Sequence, residues 1–397
     1  MSRPFVCMLL QNRYDMDARV KREARTLSSD LRIRVLHLTG EGQTSGEYTD
    51  GEGGGEVEIE RFDPLTRGLP RLGLFWPIKL LEFVLLLAWK ASRLRPDAYH
   101  AHDLPMVIPA YLASLFHRAP IIYDAHELYS ETGQDRPFIA SIWKRIDAWA
   151  VKRVQAVIAV NQSRADVMVE ELGSPPPVIV PNYPLYKRFD ELPSRENSPL
   201  RSFVDDQRGP EFSIVLYQGI LAPGRDLAEL IKAMAHVEAR TILTLLGPRN
   251  CYVDELLSVV EQYGVEDRVL YHEGVNSDLL PDYTVGADVG VVTYANHPRN
   301  NYLCAPNKLF EYCMAGIPVV GCEFPEITRL LDEYAAGERF ASGDPVSIAG
   351  AIDRLLGDPD RLQEARNLTH IVREHYHWER SADALHGIYH SFFENRK

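Results

Sequence analysis

The strongest constraint on this chain is an alternation, run through twice, of short apolar stretches with longer amphipathic ones, many of the apolar stretches ending in a polar cluster. In the first half Phe5–Leu10, Ile33–Leu38, Ala98–Ala101, Pro120–Tyr123, Ala156–Val160 and Val178–Val180 read as strands. Helices are expected near Asp17–Ser28 and over Pro77–Leu94, and acidic, glycine-rich Glu41–Glu58 reads as a flexible loop. Strands of this length alternating with helices pair in parallel through helical crossovers. The expected fold class is therefore α/β, with doubly wound, Rossmann-like parallel sheets. Ligands of such sheets bind beyond the carboxyl ends of the strands. His102-Asp103 and Asp124-Ala125-His126-Glu127 stand there.

The alternation breaks at Leu192–Glu211, where Pro, Ser, Arg and Asp replace apolar runs, and then resumes with strands at Phe212–Tyr217, Ile242–Leu246, Val269–Tyr271, Val289–Thr293 and Ile317–Gly321. A chain of 397 residues is long for one core and suits two domains. The division expected is 1–190, a linker at 191–211, and 212–377, with the helix at 378–397 packing back on the first domain. Two such halves leave a cleft suited to a donor on one side and an acceptor on the other.

A formal net charge of −13 argues against general binding to nucleic acid, whose phosphates would be repelled. Five cysteines without a CxxC pair argue against a disulfide framework or zinc site and suit a reducing compartment. The N-terminus reads as a first strand rather than a signal peptide, so a cytoplasmic location is expected. The most apolar stretch, Leu74–Trp89, is interrupted by Pro77, Lys79 and Glu82 and falls short of a membrane span. With Arg67, Arg71, Lys79, Lys90, Arg93 and Arg95 around it, residues 67–95 suit peripheral contact with an anionic membrane at its inner face, besides packing on the sheet.

Two motifs of the second half carry chemistry. Tyr217-Gln218-Gly219-Ile220-Leu221-Ala222-Pro223-Gly224-Arg225 follows a strand and opens a helix. Gly219 allows close approach of a ligand to the backbone, and Arg225 adds charge for a diphosphate. An ordinary turn with a surface arginine has the same pattern. In Pro306-Asn307-Lys308-Leu309-Phe310-Glu311, Lys308 and Glu311 share a helix face, so a cation can meet phosphate while a carboxylate one turn on receives ribose hydroxyls. A surface ion pair would look the same. In the first half, Tyr123-Asp124-Ala125-His126-Glu127 offers His126 as a group that can donate and accept at once, with Glu127 and Asp103 as weaker candidates. Asp17, Arg19 and Arg22 read first as the solvated start of a helix, with an acceptor contact as the alternative.

Taken together, these segments resemble the retaining, metal-independent glycosyltransferases of family 4, whose fold is GT-B. The resemblance is carried most by LYQGILAPGRDLAELIKAM, HEGVNSDLLPDYTVGADVGVV and PNKLFEYCMAGIPVVG. It implies that Glu311 binds the donor ribose, that Gly219, Arg225, Asn307 and Lys308 belong to the diphosphate side, and that His126 meets the donor sugar. It further implies a UDP- or GDP-sugar as substrate, no separate cofactor or metal, and a glycan or lipid-linked acceptor in surface polysaccharide or glycoconjugate assembly. Two departures stand out: Ile220 replaces the arginine usual after the glycine, and Leu303 replaces an upstream glutamate. They leave open a sugar-nucleotide 2-epimerase and a non-catalytic nucleotide-sugar-binding protein.

Overall fold

The computed structural model describes residues 3–40, 43–51, 55–68, 75–131 and 137–394. It separates into two units, Met1–Asn182 with Ser381–Lys397, and Tyr183–Arg380.

Among the described residues of the first unit lies an eight-stranded sheet in the order β3-β4-β2-β1-β5-β6-β7-β8. Its strands are β1 (Phe5–Leu10), β2 (Arg32–Leu38), β3 (Gly46–Asp50), β4 (Val57–Phe62), β5 (Ala98–His102), β6 (Ile121–Ala125), β7 (Ala156–Ala159) and β8 (Val178–Ile179). All neighbours pair in parallel except β3 with β4. That antiparallel edge pair corrects the expectation of a loop over Glu41–Glu58 at Gly46–Asp50 and from Val57 on, while residues 41–42 and 52–54 lie outside the described residues: Tyr48 and Ile59 stand opposite each other, and Arg61 lies over the Tyr48 ring. The glycine content concealed a two-residue periodicity too short to read in sequence.

Helices α1 (Ala18–Leu27), α2 (Trp76–Leu94), α3 (Leu104–His117), α4 (Pro137–Ala150) and α5 (Gln162–Leu172) join these strands. Asp17 caps α1 by accepting from the Val20 amide, and Val20, Ala24 and Leu27 face the sheet. The order reverses between β1 and β5, since β2 lies on one side of β1 and β5 on the other. A crevice opens beyond the carboxyl ends at such a switch point.

Residues 191–211, read as a linker, include α6 (Pro199–Arg208), whose Leu200 and Val204 lie in the second unit's core. Flanking polar residues hid those two apolar positions. The unit's strands are β9 (Ser213–Gln218), β10 (Thr241–Gly247), β11 (Val269–Glu273), β12 (Val289–Val292), β13 (Val319–Cys322) and β14 (Gly337–Phe340). They form a parallel sheet in the order β11-β10-β9-β12-β13-β14, with its switch point between β9 and β12. Helices α7 (Leu227–Ala233), α8 (Cys251–Tyr263), α9 (Leu280–Thr284), α10 (Arg299–Tyr302), α11 (Asn307–Met314), α12 (Pro325–Tyr334), α13 (Pro345–Leu356) and α14 (Pro359–His375) cover it. The last helix, α15 (Trp378–Glu394), carries Tyr389, whose hydroxyl bonds His100 within the first unit at 2.7 Å.

One close approach ties the second sheet to α11. The Tyr312 ring lies against Gly290, its hydroxyl donates to the Leu216 carbonyl at 3.0 Å, and it accepts from the Gln218 amide at 3.0 Å. A methyl group on Gly290 would stand 2.3 Å from that ring, so the ring or the strand would have to shift. Gly290→Ala is therefore expected to destabilise the protein by roughly 1–3 kcal/mol, the usual cost of overpacking a core. An unchanged urea midpoint would show that the ring can move aside.

Candidate functional site

In the second unit the site is built where β9 ends and α11 begins. Gly219 follows β9 at φ 119°, a conformation that disfavours any other residue, and a Cβ there would stand 3.7 Å from the Lys308 ammonium. Pro306 precedes α11, which places Asn307 in its first turn, Lys308 beside it and Glu311 one turn on. Lys308 is no surface residue. It is buried, with its ammonium 3.6 Å from the centre of the Tyr217 ring. Arg225, half-buried, lies over the Tyr294 ring at 4.3 Å. Neither cation forms an ion pair with a carboxylate among the described residues. Burial, reinforced by the nearby Arg225 charge, holds the Lys308 ammonium well below its ordinary range.

Glu311 does not pair with Lys308 either. Gln218 donates to its Oε2 at 2.7 Å and in turn accepts from the Thr284 hydroxyl at 2.8 Å. One carboxylate oxygen is thus fixed by a side chain that is itself fixed. The helix after the Gly219 turn, α7, begins only at Leu227, behind Asp226, whose carboxylate accepts from Ser342. The positive character at this strand end therefore comes from Arg225 and Lys308 more than from that helix terminus. Ile220 is exposed and Leu303 is buried, so neither position presents a charge. Asn301, two residues before Leu303, donates to the Gly224 carbonyl at 3.2 Å.

In the first unit His126 and Asp103 meet. Asp103 accepts from the His126 amide at 3.0 Å, and its other oxygen lies 3.6 Å from Nδ1 of the ring. Asp103 holds φ 67° and ψ 160°, a conformation costing a non-glycine residue about 1–3 kcal/mol and typical of functional turns. Glu127 is exposed and makes no ion pair among the described residues, which separates it from His126.

Behind His126 lies a buried network. His126 Nε2 is 2.8 Å from Asp124 Oδ2, and His102 Nδ1 is 3.3 Å from the same oxygen. Arg19 grips Asp124 with two bonds of 2.9 and 2.7 Å and donates a third to the Val180 carbonyl at 2.8 Å. Glu23, one turn along α1, is 3.0 Å from the Arg19 guanidinium. His100 and His102 stack at 4.2 Å on one face of β5. The reading of Asp17–Arg22 as a solvated helix start is thereby corrected for Arg19, which is only 4% exposed. Arg19 and Glu23, four apart beside Val20, Ala24 and Leu27, form a charged pair inside the apolar stripe. That is the signal by which sequence reading could have found them.

Burial alone would discharge His126, but Asp103 and Asp124 outweigh it and push the ring up to about 9. Asp124 feels burial in the opposite sense, yet Arg19 and His126 hold it well below the usual carboxylate range. Burial pushes Glu23 up to about 8 against the pull of Arg19, and pushes Asp103 up to about 6 against His126. Donor atoms of Glu23, His100, His102 and Asp124 lie within 4.8 Å of one another. Both Asp124 oxygens are already occupied, and a guanidinium stands among the four, so the cluster is a charge network rather than a cation cage.

The chain has clear relatives. Residues 19–183 match the family described as Glycosyltransferase Family 4, and residues 213–358 match Glycosyl transferases group 1. It is 28% identical over 181 residues to a D-inositol 3-phosphate glycosyltransferase of Xylanimonas cellulosilytica, covering 44% of this chain and 42% of the relative. It is 25% identical over 260 residues to TuaH of Bacillus subtilis, a putative teichuronic acid biosynthesis glycosyltransferase, covering 62% and 61%. The matches thus span about half the length of these relatives. Sucrose-phosphate synthase from Thermosynechococcus elongatus superposes over 99% of this chain and 100% of its own, with a TM-score of 0.80 at 15% identity. Anabaena Alr3699/HepE, solved with UDP and glucose, superposes over 98% and 100%, with a TM-score of 0.73 at 17% identity.

A buried ammonium with no ion pair among the described residues costs stability in the free protein. Lys308→Met, similar in volume and uncharged, is expected to leave the melting temperature unchanged or raise it by a few degrees. A clear fall would mean that the Lys308–Tyr217 contact stabilises more than burial of the charge costs.

Proposed function

The chain belongs to the group 1 glycosyltransferases of family 4 and has their GT-B fold of two parallel-sheet α/β domains, and from that premise we propose that it transfers a hexose from a nucleotide-diphosphate sugar to a glycan or lipid-linked acceptor, with retention and without a metal. The observation that carries the donor assignment is the pair Arg225 and Lys308, two cations on aromatic rings that form no ion pair among the described residues, beside Gly219. A diphosphate is the partner they lack. Their charge would stabilise the diphosphate as it leaves, the role of a preorganised electrostatic clamp. Glu311, with one oxygen committed to Gln218, keeps the other for the ribose hydroxyls, while Asn307 in the first turn of α11 lines the phosphate side. UDP is the first nucleotide to test, because the Anabaena neighbour was solved with UDP and with UDP-glucose. His126, charged and held between two carboxylates, would donate to the transferred sugar.

The test is a thermal-shift series with UDP, GDP, ADP and their sugar conjugates. A bound nucleotide raises the melting temperature by mass action, about 2.7 kcal/mol of stabilisation at a concentration one hundred times Kd. One nucleotide family is expected to shift the wild type, and Glu311→Ala and Lys308→Met to weaken that binding at least about tenfold, some 1.4 kcal/mol. His126→Ala should keep the shift and lose turnover. No shift with any nucleotide would end the donor assignment.

We place the reaction in surface polysaccharide or glycoconjugate assembly, in the cytoplasm at the inner face of the membrane. No described helix is long and apolar enough to cross a membrane. On α2, however, Phe83, Leu87 and Ala91 face the protein while Ile78, Leu81, Leu85 and Trp89 are exposed, spaced three, four and four apart along one face. Arg93 stacks on Trp89 at 5.1 Å, and Lys79 and Arg95 flank the stripe. An apolar stripe rimmed by cations suits an anionic lipid surface. Residues 69–74 of the expected segment lie outside the described residues. The protein should co-sediment with vesicles containing phosphatidylglycerol and lose most of that binding at 0.5 M salt. Failure to bind at low salt would remove the membrane contact.

A further inference from the structure

The buried network behind His126 has a charge deficit. Arg19 supplies one positive charge against the carboxylates of Glu23 and Asp124, all three buried. At its edge, ionised Asp103 is matched by charged His126. The interior set is therefore one positive charge short if Glu23 is ionised. It also leaves polar atoms short of hydrogen bonds: among the described residues neither Glu23 oxygen, although Oε1 lies 3.0 Å from Arg19, nor Nε2 of His100 makes one, and the two side chains approach to 3.7 Å. A buried carboxylate that must share its one guanidinium with a second carboxylate is costly for a core to hold. One proton removes the deficit. A divalent cation would overshoot it, next to a guanidinium.

We propose that Glu23 is a positioning residue that keeps one buried proton at neutral pH, which lets Asp124 remain ionised and hold His126 as a charged ring. The groups that decide this surround it on every side. Arg19 faces Glu23 from α1, His100 and His102 from β5, and Asp124 from β6, while the Tyr389 hydroxyl of α15 bonds Nδ1 of His100 and so engages the ring's far side. His126 is faced by Asp103, Asp124 and His102, with Arg164 donating to its carbonyl and the charge of Glu127 close to Asp103. Asp17, at the start of α1, adds a further negative charge near Arg19 and His102. Because Asp124 accepts from Arg19, His126 and His102 together, it cannot also share the negative charge of an ionised Glu23. The bearing on sugar transfer rests on the role given to His126 above. The proton itself does not.

Glu23→Gln tests this directly, because it copies the protonated side chain in shape and charge and cannot titrate. In the unfolded chain the carboxyl gives up its proton near its ordinary value of 4.5, and in the folded protein only near about 8. Between those values the unfolded state binds fewer protons, so wild-type stability falls as pH rises and then levels off above the upper value. Urea denaturation of both proteins should therefore show the wild type losing ground to Glu23→Gln across that window, with a constant gap beyond it. A gap that does not change with pH overturns the stored proton.

Histidine NMR gives a second reading, with His126 assigned by its loss in His126→Gln. At pH 7.5 the ring should be charged in wild type and remain so in Glu23→Gln, with a midpoint shift under about half a unit, whereas Asp124→Asn should lower the midpoint by more than about one unit. If Glu23→Gln discharges His126, Glu23 was ionised and the inference fails. Carbon-13 titration of the wild-type Glu23 carboxyl gives the same answer without any substitution. One equivalent of divalent metal in the purified protein, lost in Glu23→Gln, would also overturn it. A missing nucleotide shift beside intact titrations would count against the transfer reading alone.

Discussion

A guanidinium inside an apolar layer has to be answered by carboxylates, and the first unit is arranged around that requirement. Arg19 reaches through the interface of α1 with the sheet to grip Asp124 at 2.9 and 2.7 Å, and takes the Val180 carbonyl beside β8 as a third partner. One side chain thereby ties α1, β6 and the end of β8. Asp124 is then available in only one orientation, and His126, two residues on, inherits it. A pair of this kind contributes little net stability over a well-packed apolar alternative. Its effect is specificity: it fixes which oxygen faces His126 and which side of the ring is left for solvent.

The second unit solves the opposite problem. There the cations Lys308 and Arg225 are stacked on Tyr217 and Tyr294 and form no ion pair among the described residues, while the nearby Glu311 is held by Gln218. Aromatic rings tolerate a cation without neutralising it. The positive potential therefore survives at the strand end, where an anion can use it. Gln218 is central to this arrangement, since its side chain orients Glu311 while its backbone amide is held by Tyr312. In one unit buried charge is closed within the protein; in the other it is left open for a ligand. Both arrangements sit beside the switch point of a parallel sheet.

Much of this was legible in the chain. The alternation of apolar runs and amphipathic stretches required parallel strands with helical crossovers, because no other connection joins parallel neighbours, and this determined the α/β class and the placing of Gly219, Lys308, Glu311 and His126 beyond the strands. What it could not supply was side-chain direction and pairing. Lys308 and Glu311 read as a possible ion pair because they are three apart, but Gln218 from β9 takes the carboxylate and Tyr217 takes the ammonium. Arg19 read as solvated because its partner Asp124 is 105 residues away. The β3–β4 ribbon and the core positions of α6 were hidden by glycine and polar neighbours that mask short periodicities. The sequence alone determined the periodic, local features, since backbone geometry repeats every two or 3.6 residues. Tertiary structure alone decided which charges are neutralised and which are left for a ligand, since that depends on groups far apart in the chain meeting where water is excluded.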